Sequence, residues 1–155
     1  VFLDFSTRYP LLALELVPEM LKATDPSLEA KSFQVVKTFE MAALFLKNVS
    51  KVCSHEVKTQ LIQLARQYTT HLCTVLEKAG DVGDKGPFGM PKDRIKTLLK
   101  SLGMVIRKIK LIQETSEIWT NDSLKSVLEN IAQHERFKCA AVTSLVKQTL
   151  LLLIK

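Results

Sequence analysis

Glycine and proline are scarce, five of each in 155 residues. With Leu, Lys and Ala common, so few turn residues lean the chain towards helix, and no stretch alternates polar and apolar residues as a half-buried strand does. Cysteine is scarce too, and its number, three, is odd. That excludes a disulfide framework and points to reduced thiols in a cytosolic or nuclear protein. A long apolar run is missing as well. The end, "KQTLLLLIK", is apolar for only five residues in a row, whereas a membrane-spanning helix needs about 20; no transmembrane segment is expected. The start, "VFLDFSTRYPLLALEL", lacks a basic n-region and a small-residue cleavage site, so it is no secretory signal. It also lacks an initiator Met and opens on apolar residues, which suggests a piece of a longer chain cut close to a helix.

What is present is an ordinary globular balance, 46% hydrophobic and 25% charged, in a chain long enough for one domain with a real core. Residues 1–155 are read as a single all-helical domain. The net charge is +6 and the pI about 9.3. A basic balance suits nucleic acid, an anionic membrane or an acidic protein partner, and says nothing of fold.

The helical signals come in sequence. Residues 10 to 23 form a short helix opened by Pro10, with Pro18 expected to kink or interrupt it. "TDPSLEA" then supplies a start: Asp25 can cap, Pro26 suits the first helical position, and Glu29 adds negative charge to the first turn. Apolar residues at Leu28, Val35, Val36, Phe39, Ala42, Ala43, Leu46 and Val49 carry that helix to about Val52. A second face follows at Val57, Leu61, Leu64, Ala65, Tyr68, Leu72, Val75 and Leu76, and Gly80 sits where a helix-ending glycine belongs. The stretch "GDVGDKGPFGMP" holds four of the five glycines and is a loop in which Phe88 and Met90 pin the connection to the helices or meet a partner. Pro91 opens the next helix, which can reach Thr115. Asn121 or Ser123 caps a final segment running to residue 155, where the polar patch "QHERFK" either divides two helices or is the wet side of one.

The helix after Pro91 carries the one unusual charge pattern. "KDRIKTLLKSLGMVIRKIK" holds seven of the 22 basic residues, opposed only by Asp93. On a helical projection Lys92, Lys96, Lys100, Arg107 and Lys110 fall within about 80° of one another, with Gly103 on the same side. Ile95, Leu98, Leu99, Leu102, Val105, Ile106, Ile109 and Ile112 fill the opposite arc. Met104 and Leu111 lie outside that arc, which suggests a second covered surface. An ordinary solvated face would mix acids among the lysines, so an excess of one sign makes the stripe the candidate surface for nucleic acid or an acidic partner. It carries no aromatic residues for stacking on bases, and no helix-turn-helix, zinc-finger or RNA-recognition signature accompanies it.

Catalytic and metal chemistry find no support. "CSH" at 53–55 and "HLC" at 71–73 place ligand types two residues apart, and such neighbours point about 200° from each other on a helix, so His71 and Cys73 cannot chelate as a pair. In the glycine loop Lys85 is followed by Gly86, not by the Ser or Thr of a phosphate-binding loop. Asp81 and Asp84 miss the calcium-loop spacing. His55, His71 and His134 are far apart in sequence. Asn48-Val49-Ser50 and Asn121-Asp122-Ser123 match the glycosylation sequon, a triplet that arises often by chance. No cofactor, no metal and no enzymatic activity are expected.

The paired helices 26–52 and 55–79, joined by the short "CSH" turn, and the pair 91–115 and 121–155 resemble an α-solenoid of the HEAT or armadillo kind. The helices are longer than a repeat of roughly 40 residues allows, and a closed four- or five-helix bundle is the alternative. The resemblance implies a non-catalytic scaffold, a segment of a larger intracellular and nuclear protein, that presents a surface to other proteins and, through its basic stripe, to DNA or RNA without regard to sequence. A dedicated helical DNA- or RNA-binding domain and a secreted four-helix signalling protein are the other classes. Oligomeric state is left open.

Overall fold

The computed structural model describes residues 8–23, 32–51, 55–79, 91–112, 122–135 and 137–153. They form six α-helices, α1 (Pro10–Lys22), α2 (Ser32–Lys51), α3 (His55–Lys78), α4 (Lys92–Ile112), α5 (Asp122–Gln133) and α6 (Ala140–Leu153). There is no strand among the described residues, and the protein is all-α. The start signal around Asp25 and Pro26, Cys53 and Ser54 of the "CSH" turn, Gly80, the loop with Phe88 and Met90, and the cap Asn121 lie outside what is described; Ser123 lies inside α5, past its first residue, and so does not cap it.

Each helix follows from its apolar arc. In α4 the residues Ile95, Leu98, Leu99, Leu102, Val105, Ile106 and Ile109 are all buried, none more than 1% exposed. Burying side chains of this size stabilises by about 1.5–3 kcal/mol each, set against the entropy of ordering them. Pro91 stands just before α4, and its carbonyl accepts the amides of Arg94 and Ile95 at 3.0 and 3.2 Å, so a residue without an N–H opens the helix at no cost in hydrogen bonds. α1 runs through Pro18 without interruption. Pro18 lacks only the N–H that would reach one turn back, and Ala13, Leu14, Val17 and Leu21 stay buried on both sides of it.

The segment after residue 121 is two helices, not one. Phe137 lies inside the polar patch "QHERFK", yet its ring is fully buried. The chain turns there to deliver it. The amides of Phe137 and Lys138 both donate to the carbonyl of His134, at 3.0 and 2.8 Å, and the Phe137 ring lies 5.1 Å from that of His134. α6 then starts behind Cys139, whose carbonyl accepts the Thr143 amide at 3.0 Å.

The packing order is regular. α1 packs on α2 and α3; α2 packs also on α3 and most extensively on α4; α3 packs on α4 and α5; α4 packs on α6, and α5 on α6. Every extensive contact therefore joins helices one or two apart along the chain. The core runs through all six, with Phe39 and Phe45 of α2 and Tyr68 of α3 fully buried. The rings of Phe39 and Tyr68 meet edge to face, centroids 5.5 Å apart at 89°, the arrangement aromatic quadrupoles favour.

Candidate interaction surface on the basic helix

The five cations singled out on α4 do not behave alike. Lys92, Lys100 and Arg107 are exposed, and none of the three has an ion pair among the described residues. Lys96 is half-buried and reaches Asp93 one turn back at 3.2 Å; that carboxylate is almost fully exposed, so the pair adds little stability. Lys110 has a different task. Its ammonium donates to the carbonyl of Leu152 in the last turn of α6. A cation at a helix C-terminus satisfies a carbonyl with no partner inside the helix and complements the dipole.

Gly103 falls on the basic side and is buried. The guanidinium of Arg107 lies over it, 3.5 Å from the place a Cβ would occupy. Arg107 thus rests along its own helix with its charge still facing solvent. Met104, outside the main apolar arc, packs partly buried against the core, as expected of a covered second surface; the side chain of Leu111 is not described. Ser101 is buried on the opposite side.

Ser101 stands near the Tyr68 hydroxyl of α3 without meeting hydrogen-bond geometry, and the buried phenol oxygen has no hydrogen-bond partner. Burial pushes the phenol pKa far above its ordinary value; the Ser101 hydroxyl works against the shift and the charge of Glu40 adds to it. Cys73, buried on the same helix, has its thiol pushed up to about 11 by burial, with the Glu77 carboxylate adding to the effect. A thiol held protonated in this way is a poor nucleophile and a poor ligand.

His71 is half-buried while Cys73 is buried, as their spacing requires. Among the described residues no three His, Cys, Asp or Glu side chains come together as a metal site, and no helix is long and apolar enough to cross a membrane. The sequon at Asn48 lies inside α2, where Val49 is core and the Ser50 hydroxyl donates to the Lys47 carbonyl.

A second exposed surface was not foreseen. Leu11, Leu12 and Leu16 of α1 are 45%, 47% and 40% exposed. The signal was present in "PLLALELV", which is apolar around the whole helix and not along one stripe. Comparison of the chain with protein-family profiles, with curated proteins and with solved structures finds no match to any of the three.

Proposed function

We propose that the chain is a non-catalytic helical scaffold, a stretch of α-solenoid in a larger nuclear protein, which binds other proteins and touches nucleic acid through α4. The packing order supports the solenoid. Helices α1, α3 and α5 touch in succession, and so do α2, α4 and α6. Two such rows, cross-linked by α1 with α2, α3 with α4 and α5 with α6, make three stacked hairpins. Repeat proteins have this property: each unit meets only its neighbours. A closed bundle would instead bring the first and last helices together. Both pairs the sequence suggested are in contact, α2 with α3 and α4 with the α6 part of 121–155, while α4 does not pack extensively on α5.

The single observation that carries the nucleic-acid role is the trio Lys92, Lys100 and Arg107, exposed on one side of α4 with no anionic partner among the described residues. Three point charges without aromatic or amide neighbours recognise phosphates and not bases. Binding is then weak and indifferent to sequence, with a log–log salt slope near −3 for duplex DNA at about 0.9 per phosphate neutralised. The free thiols Cys73 and Cys139 and the basic balance suit a reducing nuclear compartment. The test is fluorescence anisotropy with labelled duplex DNA and single-stranded RNA over a salt series. Replacing Lys92, Lys100 and Arg107 by Glu together is expected to abolish binding and leave helicity unchanged. Lys110 is kept, because it holds the end of α6. Equal binding by the triple variant would reduce the stripe to a solvated face.

A further inference from the structure

α1 and α5 stand at opposite ends of one row of helices, and their outward faces differ in kind. Those of α5 are polar: Lys125, Ser126, Glu129, Asn130 and Gln133 are all exposed. Such a face is at home in water, although Leu151 of α6, which packs on α5, is 68% exposed. On α1 the exposed side instead holds Leu11, Leu12 and Leu16, with Glu15 among them. An open groove of about 280 Å³ runs beside it between α1 and α3, lined by Leu14 and Glu15 on one wall and by Gln60, Gln63 and Leu64 on the other. Glu19 is tied to Lys22 at 3.3 Å. Glu15 has no cation in ion-pair range among the described residues. A carboxylate set among exposed leucines at the rim of a groove is a half-made site. It offers apolar area and one uncompensated negative charge.

We infer that this face of α1 docks an amphipathic helix of a partner protein, one with a leucine stripe and a lysine or arginine placed to meet Glu15. The leucines supply the area, and the charge selects the occupant. A second copy of the chain is a poor occupant. Pairing α1 with itself would crowd the Glu15 carboxylates of both copies along one apolar seam, and like charges so placed are costly. The inference rests on the row arrangement only for the contrast with α5. The nucleic-acid titration of α4 is a separate measurement, so either can fail alone.

The experiment uses the whole chain and two synthetic peptides of about 18 residues with the same leucine pattern, one flanked by lysines and the other by glutamates. The lysine peptide is expected to bind and the glutamate peptide not to, although the chain's net charge of +6 favours the reverse. Adding the lysine peptide should slow amide exchange in α1. The double substitution Leu12→Ser with Leu16→Ser, both at exposed positions, is expected to weaken binding at least tenfold. Glu15→Lys should exchange the preference of the two peptides, and it tests the site even if the serine variant loses its fold. Equal binding of both peptides to the parent chain, or a preference unmoved by Glu15→Lys, would overturn the inference. So would concentration-dependent dimerisation that the serine substitutions abolish, since the occupant would then be a second copy.

Discussion

α4 and α1 are both amphipathic helices with an exposed face, but they solve opposite problems. α4 lies against α2, α3 and α6. Its buried arc is broad, and what it leaves in water is charge. α1 lies against α2 and α3 only, buries the narrower set Ala13, Leu14, Val17 and Leu21, and leaves leucine in water. A helix with neighbours on three sides spends its apolar residues inward and can show solvent only what solvent tolerates. α1, which packs extensively on only two helices, has apolar residues left over, whereas α5, which also has two such neighbours, shows water the polar residues Lys125, Ser126, Glu129, Asn130 and Gln133. The number of neighbours sets how much of a helix stays in water, and its own composition decides which kind of surface that is.

The contrast can be broken in the core first. Leu102→Ala in α4 is expected to cost about 4 kcal/mol, near the upper part of the range for such truncations, because its neighbours are fixed from three sides. Leu14→Ala in α1 should cost about 2 kcal/mol, since an end helix can settle into the space. Urea midpoints check the difference; equal losses would mean that α1 is as firmly held as α4.

Next comes alkaline pH. The Cys73 thiol has an ordinary value of 9.0 and is pushed up to about 11 in the fold. The folded chain therefore keeps a proton that the unfolded chain loses. Stability from this group is complete below pH 9 and falls away as pH rises towards about 11. Tyr68 is raised in the same sense, from its ordinary 10.0, and adds its own loss above pH 10. Urea midpoints between pH 8 and 10 should fall less steeply for Cys73→Ala than for the parent. Parallel curves would place the cause elsewhere.

Lys110→Ala removes a charged donor from the last turn of α6 and should cost about 1–2 kcal/mol, with amide exchange speeding up near Leu152 before it does so in α4. Smallest is a gain. Gly103 is helical, and an added Cβ would meet the Arg107 guanidinium at 3.5 Å, an ordinary contact. Gly103→Ala should stabilise by about 0.5–1 kcal/mol through the helix entropy that glycine forfeits. A loss would show that Arg107 needs the bare backbone.

The sequence made the buried arc of α4 legible because burial on one side of a helix imposes a period that any reader can count. All-α architecture followed from the same period in every long segment. Lys110 was grouped with the solvated cations because its partner, the Leu152 carbonyl, lies 42 residues away, and no local pattern reports a contact of that kind. Lys96 likewise looked free only until Asp93 was seen to fold back on it. The polar stretch "QHERFK" left open whether it divides two helices or is the wet side of one; it divides them, and within it one residue, Phe137, belongs to the core. The helix pairs named from the sequence do touch, α2 with α3 and α4 with α6, but no local pattern foretold that α2 would pack most extensively on α4.

The packing of helices only on those one or two places away has a kinetic side. The most extensive of these contacts, between α2 (Ser32–Lys51) and α4 (Lys92–Ile112), closes a long stretch of chain, but the entropy of loop closure grows only slowly with length. No step of folding has to wait for the two ends of the molecule to meet. Order is expected to begin where α2 meets α4, the most extensive contact, and to take in α6 early, because its contact with α4 comes next in extent.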